Sequence, residues 1–217
     1  MLFLHLCVWI TIASQFICTL YGFKVWKQLN LTSLMWLSIY FTSEFMRSLV
    51  GFVMANLAIR TSLFYHYSGQ FSETLLFVFA LTILKEKKFR VYISIAYGLA
   101  LSTFAILEFL NLPIAVKELI RYSEFLDIII GIVLLRDRLL HQQFLNFKQD
   151  PWSVIAMIIL ATASVSLIAV CSMFFSTENR NLNSVHYFFV YVNCFSILIR
   201  YILITIQLKK LKNLTLT

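Results

Sequence analysis

Glu44 and Arg47 stand three residues apart in a stretch otherwise almost free of charge. On a helix that spacing puts both on one face, where a carboxylate and a guanidinium can pair. Glu73 is isolated in the same way. A third segment carries Glu118, Arg121, Glu124 and Asp127, each three residues from the next. Neighbours in that row can touch, but three residues fall short of a 3.6-residue turn, so the row drifts by about 60° per step. Glu118 and Asp127 therefore point nearly opposite ways and cannot share one pocket. Arg200 lies alone in the last apolar stretch. Acids and bases held in apolar surroundings form ion pairs, take up a proton, or bind a cation or a ligand amine. Beside them runs a polar stripe of Tyr65, Gly69 and Glu73, four apart, with Ser68 and Ser72 next to it. The stripe either packs closely on another helix through its small residues or lines a cavity with Tyr65 and Tyr67 at its mouth. Asn193 can join either arrangement.

Other chemistry finds little support. The chain has no HExxH, no phosphate-binding Gly-rich loop and no GxSxG. Cys7, Cys18, Cys171 and Cys194 form no CxxC pair and read as small apolar residues. His66 and His186 could approach each other across the bundle, but two histidines at unrelated spacing read better as interfacial side chains than as a metal or haem site. No catalytic residue, metal site or cofactor is assigned.

The elements that hold these charges are apolar. Of the 217 residues, 60% are hydrophobic and 13% charged, against about half and a quarter in soluble domains. Mean hydropathy is +0.84. A helix needs roughly 20 apolar residues to cross a bilayer, and seven such stretches are present, near residues 2–23, 31–57, 62–84, 91–110, 114–135, 152–175 and 185–208. Long uninterrupted runs favour helices over the short alternating strands of a membrane barrel. The expectation is an all-α, polytopic bundle of seven transmembrane helices forming a single domain over residues 1–217. No basic residue precedes Lys24, so the first stretch reads as an uncleaved helix rather than a signal peptide.

Basic residues set the direction. Lys24, Lys27, Lys85, Lys87, Lys88, Arg90, Arg136, Arg138, Lys148, Lys209, Lys210 and Lys212 fall on one side, against Arg60, Lys117 and Arg180 on the other. The positive-inside rule then puts the N-terminus outside and the C-terminus in the cytoplasm. The formal charge of +8 belongs to a rim touching anionic lipid, and nucleic acid is not an expected partner. In this frame Glu44, Glu73 and Glu124 lie near the midplane, Arg47 and Arg121 further out, and Asp127 and Arg200 further in. A charge at a helix centre costs at least ~2.5–3.5 kcal/mol. Glu44, Arg47, Glu73, Arg121 and Glu124 are therefore expected to form one buried polar network. Such a network either pins helices together or marks a site, and both readings stay open here.

Three runs resemble uncharacterised seven-helix inner-membrane proteins of bacteria, of a type common in acidobacterial genomes. They are the opening MLFLHLCVWITIAS, the run FYHYSGQFSETLLFVFALTILKE and the run KELIRYSEFLDIIIGIVLL. The positions carrying the likeness are Phe64, Tyr65, Tyr67, Ser72, Glu73, Glu118 and Arg121. The resemblance implies a multi-pass protein of the bacterial inner membrane and brings no biochemical activity with it. The chain departs from the type in its lysine-rich connections and its scarcity of Ala and Gly. A retinal protein needs a lysine midway along its last helix, where this chain has Arg200 and no lysine before Lys209.

Three classes of role are ranked on these observations. The first is a receptor-like or sensory module that binds a small molecule in the outer half of the bundle and needs a cytoplasmic signalling partner. The second is a carrier of small solutes, coupled to protons or cations through the midplane acids, although no repeat or mid-helix proline supports it. The third is an intramembrane enzyme acting on lipid, for which no nucleophile or metal constellation is present.

Overall fold

The computed structural model describes residues 2–59, 61–110, 122–141, 150–177 and 183–214. Among the described residues there are seven helices and no strand. They are α1 (Leu2–Leu29), α2 (Thr32–Asn56), α3 (Ser62–Ile83), α4 (Lys87–Phe109), α5 (Tyr122–His141), α6 (Pro151–Thr177) and α7 (Asn183–Leu214).

Several helices outrun the apolar stretches that announce them. α1 continues through Lys24 and Lys27, where a loop was expected, and stops at Asn30. The reason is local. Lysine is a good helix former, whereas Asn30 takes the left-handed conformation, φ 50°, and ends the helix. α4 begins at Lys87, α5 runs past Arg136 to His141, and α7 carries Lys209, Lys210 and Lys212 inside its last turns. The predicted stretch 114–135 is described only from Tyr122 onward. The other end of α2 is closed by paired turns, Ala58 N–H to Ala55 O at 3.1 Å and Ile59 N–H to Met54 O at 2.9 Å. This is a Schellman cap in which Ala58, at φ 55°, occupies the place usually given to glycine. α6 opens on Asp150, whose carboxylate accepts the Ser153 backbone N–H at 3.0 Å and its hydroxyl at 2.5 Å. Pro151 fills the first helical position, where a missing N–H is harmless.

Among the described residues four helices, rather than all seven, are long and apolar enough to cross a membrane on their own composition: α1, α4, α6 and α7. The other three hold the acids. Every buried carboxylate among the described residues belongs to α2, α3 or α5: Glu44, Glu73, Asp127 and Asp137. Their polar groups turn inward, while apolar side chains cover much of the outside. Trp9, Ile17, Tyr92, Leu99, Phe109 and Ile168 are all more than half exposed, a surface that suits lipid better than water.

Six helices close a ring in the order α1, α2, α3, α5, α6, α7 and back to α1. α4 packs outside this ring, against α5 and α3. α5 and α6 pack closely at Gly131, where an added Cβ would lie 2.9 Å from Leu160 Cβ and 3.1 Å from its backbone. The dry core occupies one end of the bundle. It draws on the late part of α1 and α3 and the early part of α2 and α6, with Phe41, Phe79, Ile130, Ile155, Tyr201 and Ile204 among its members. Because neighbouring helices joined by short links run antiparallel, these positions lie at one end, the end that carries the lysines. There Asp137, fully buried, accepts the backbone N–H groups of Lys85 at 3.2 Å and Glu86 at 3.0 Å. Arg90 returns the favour by donating Nη2 and Nε to Leu84 O at 2.7 and 3.0 Å. The α3–α4 turn is thus fastened to α5.

Candidate functional site: a charged cavity at the end opposite the core

Above the dry core the ring is hollow. The cavity has a volume of about 520 Å³ and takes side chains from α1, α2, α3, α5, α6 and α7, the six ring helices. That is within the range of ordinary small-molecule sites, about 300–1,000 Å³.

α2 contributes one helical stripe, Tyr40, Glu44, Arg47, Ser48 and Gly51. Their spacings of three and four keep them on one face. Arg47 donates Nη2 to Glu44 Oε2 at 2.9 Å, the pairing their spacing predicts. α3 supplies Tyr65, Gly69 and Glu73. The stripe therefore faces the cavity. An added Cβ on Gly69 would sit 3.4 Å from Arg47 Nη1, so the glycine makes room for the guanidinium rather than for a neighbouring backbone. Gly51 does the corresponding service for Tyr65: a Cβ there would overlap the tyrosine hydroxyl. α2 and α3 are also joined by Ser43 and Ser72, hydroxyl to hydroxyl at 2.8 Å.

The rim is open, with Ala55 and Tyr65 exposed, and the floor is closed. Arg200 on α7 builds the floor. It donates Nη1 to Asp127 on α5 at 3.2 Å and Nη2 to the Tyr40 hydroxyl at 2.8 Å. Tyr201, 1% exposed, fills the space beside it. A guanidinium held by two helices and capped by tyrosines is a fixed charge: its Coulomb attraction is strong in a low dielectric and it needs no rearrangement to act.

Of the residues singled out in the sequence, Glu44, Arg47, Tyr65, Glu73, Asp127, Asn193 and Arg200 line this one cavity. Asn193 accepts the Ser166 hydroxyl at 2.9 Å, bridging α7 to α6. Asp127 and Arg200, expected at a different depth from the network, instead line the same cavity and form its floor. Glu118 and Arg121 lie outside the described residues, as does the side chain of Glu124, and with it their share in the expected network. His66 also reaches the cavity, and its partner is on α4: Nε2 lies 2.8 Å from Glu108 Oε1. Tyr67 donates to the other oxygen of Glu108 at 3.3 Å, and Phe104 stacks on the imidazole at 4.9 Å.

Tyr40, Tyr201 and Ser166 were not anticipated. Tyr40 stands one turn before Glu44, so the same face count that paired Glu44 with Arg47 reaches it. Tyr201 and Ser166 carry no such signal. Glu44 and Asp127 each engage a guanidinium, and no activated nucleophile accompanies them among the described residues. Nor, among the described residues, do three or more His, Cys, Asp or Glu side chains gather to hold a metal ion. Comparison with family models, with curated proteins and with solved structures returns no match in any of the three.

Proposed function

We propose that this protein is a multi-pass membrane protein with seven spans, and that its cavity receives a small molecule as the binding half of a receptor-like, sensory module. The observation that carries the reading is the shape of the cavity: an exposed rim at Ala55 and Tyr65, charged walls, and a floor sealed by Arg200, Tyr40 and Tyr201 above a dry core. A carrier needs a route to both faces, and the packed end beneath the floor favours a blind pocket instead. α2, α3 and α5 fall short of a spanning composition because their polar faces turn into the bundle, which leaves room for all seven helices to cross together. With the lysine-bearing end in the cytoplasm, the cavity opens outward, toward solutes rather than toward metabolites inside. The resemblance to bacterial inner-membrane proteins supports that membrane as the module's location, with a separate cytoplasmic partner reading out the occupied state.

The test is stabilisation by ligand. Purified protein in nanodiscs is screened against a library of water-soluble small molecules by thermal unfolding, alongside a Gly69→Trp variant whose indole fills the cavity. The reading expects compounds that raise the wild-type midpoint and leave the variant unmoved. It fails if no compound stabilises the protein, or if every one that does acts equally on both.

A further inference from the structure

α4 stands outside the ring, packed on α5 and α3. At the lysine-bearing end its seam with α5 carries two cations over one ring. Lys88 Nζ lies 5.2 Å from the centroid of Phe89, and Arg136 Cζ, from α5, lies 5.8 Å from the same centroid. Phe89 is buried, while Lys88 and Arg136 are exposed. The ring attracts both cations, so two like charges from two helices are held at one small patch. Glu86 stands 3.8 Å from Lys88 but is also met by His141 at 3.4 Å. Asp137 is turned inward to the backbone of Lys85 and Glu86. The sequence that follows α5, residues 142–149, holds Lys148 and no acid.

From each cation an apolar stripe runs toward the other end of the bundle. On α4 it is Lys88, Tyr92, Ile95 and Leu99; on α5 it is Arg136, Ile132, Ile129 and Phe125. Both follow the spacing four, three, four, which keeps each set on one helix face, and all eight side chains are exposed. Each stripe spans eleven residues, about 16 Å of helix. That is close to half of the roughly 30 Å hydrocarbon core, the depth of one leaflet. A patch with two cations at the membrane surface and two apolar faces one leaflet deep matches a single kind of molecule. Basic pockets between membrane helices favour anionic head groups. We infer that the outer α4–α5 groove binds an anionic glycerophospholipid, its phosphate between Lys88 and Arg136 and its acyl chains along the two stripes. This rests on the reading of the chain as a multi-pass membrane protein and is independent of what enters the cavity.

Native mass spectrometry of the full chain, released from micelles with equal phosphatidylglycerol and phosphatidylcholine of the same chains, tests it. The first lipid retained should be phosphatidylglycerol, preferred by about 30-fold, roughly fivefold for each cation. Lys88→Gln with Arg136→Gln should remove the preference, and Lys24→Gln with Lys27→Gln, at exposed lysines elsewhere on the same end, should keep it. Glycerol phosphate, the same charge without chains, should fail to displace the lipid. A phosphatidylglycerol with a diazirine on its acyl chain locates the site in the unaltered chain, so the outcome does not hang on a variant that folds. Adducts should concentrate on residues 92–99 and 125–132. Equal retention of both lipids, a preference that survives the Lys88 and Arg136 changes in folded protein, displacement by glycerol phosphate, or adducts spread evenly over α1, α6 and α7 would each overturn the site. None of these touches the membrane reading beneath it, which fails separately if the chain is washed from membranes by alkaline carbonate.

Discussion

Removing the Asp127 charge should strand Arg200, and the size of the loss follows from its surroundings. Asp127 is 6% exposed, and the Arg200 side chain 11%. In Asp127→Asn the volume stays but the counter-charge goes, leaving the guanidinium with the neutral Tyr40 hydroxyl at 2.8 Å as its remaining described bond. Breaking a buried pair in this way costs roughly 3–5 kcal/mol, most of it the uncompensated charge. Arg200→Met takes the Arg200 contact away from Asp127 and should also destabilise. The double variant strands neither charge. Its loss should fall to about 1–3 kcal/mol, the size of a tyrosine hydroxyl deprived of its donor and repacking around the methionine. The assay is equilibrium unfolding in mixed micelles of graded SDS content, run as a double-mutant cycle. A double variant that loses the sum of the two single losses would refute the reasoning, because it would mean that the two charges do not sense each other.

Four further outcomes follow from close contacts and backbone geometry. Gly131→Ala should destabilise by about 1–3 kcal/mol, since the new methyl meets the Leu160 backbone at 3.1 Å; the same unfolding assay reads it. Gly98→Ala is its control, with nothing within 4 Å, and should gain about 0.5–1 kcal/mol from helix propensity. Ala58→Gly should stabilise by about 1 kcal/mol, because φ 55° is left-handed and favours glycine; a lowered midpoint would contradict the cap described for α2. Gly51→Ala should push Tyr65 out of its place over α2, seen as a change in tyrosine fluorescence or in solvent exposure at residue 65, and Tyr65→Ala in the same chain should restore the midpoint.

How much of this was legible in the sequence depends on whether a contact is local. Glu44 and Arg47 were readable as a pair because both sit on one helix, three residues apart, and helix geometry alone brings them together. Asp127 and Arg200 were not, since they meet across 73 residues only after α5, α6 and α7 have taken their order in the ring. The polar stripe on α3 was readable as a stripe, but its direction was not. Gly69 could equally have marked a close helix contact, and such a contact with a neighbouring backbone is found at Gly131 instead, whose sequence neighbours are uniformly apolar. Hydropathy located the apolar lengths and missed the helix ends, because α1 and α7 carry their lysines onward for two turns or so, and lysine is a good helix former. His66 was noticed for a partner on the last helix and found one in Glu108, on a neighbour that stands outside the ring.

The central claim is a cavity open at the end opposite the lysines and sealed from below. Cysteine accessibility tests it most directly. In a chain whose Cys7, Cys18, Cys171 and Cys194 are replaced, single cysteines go in at Ala55 and Gly69, which line the cavity, and at Leu76 and Ile204, which are fully buried in the core. A membrane-impermeant thiosulfonate is then applied to intact cells. The account predicts modification at 55 and 69 from outside, and silence at 76 and 204. Protection of 69, or reaction at 204, would contradict it.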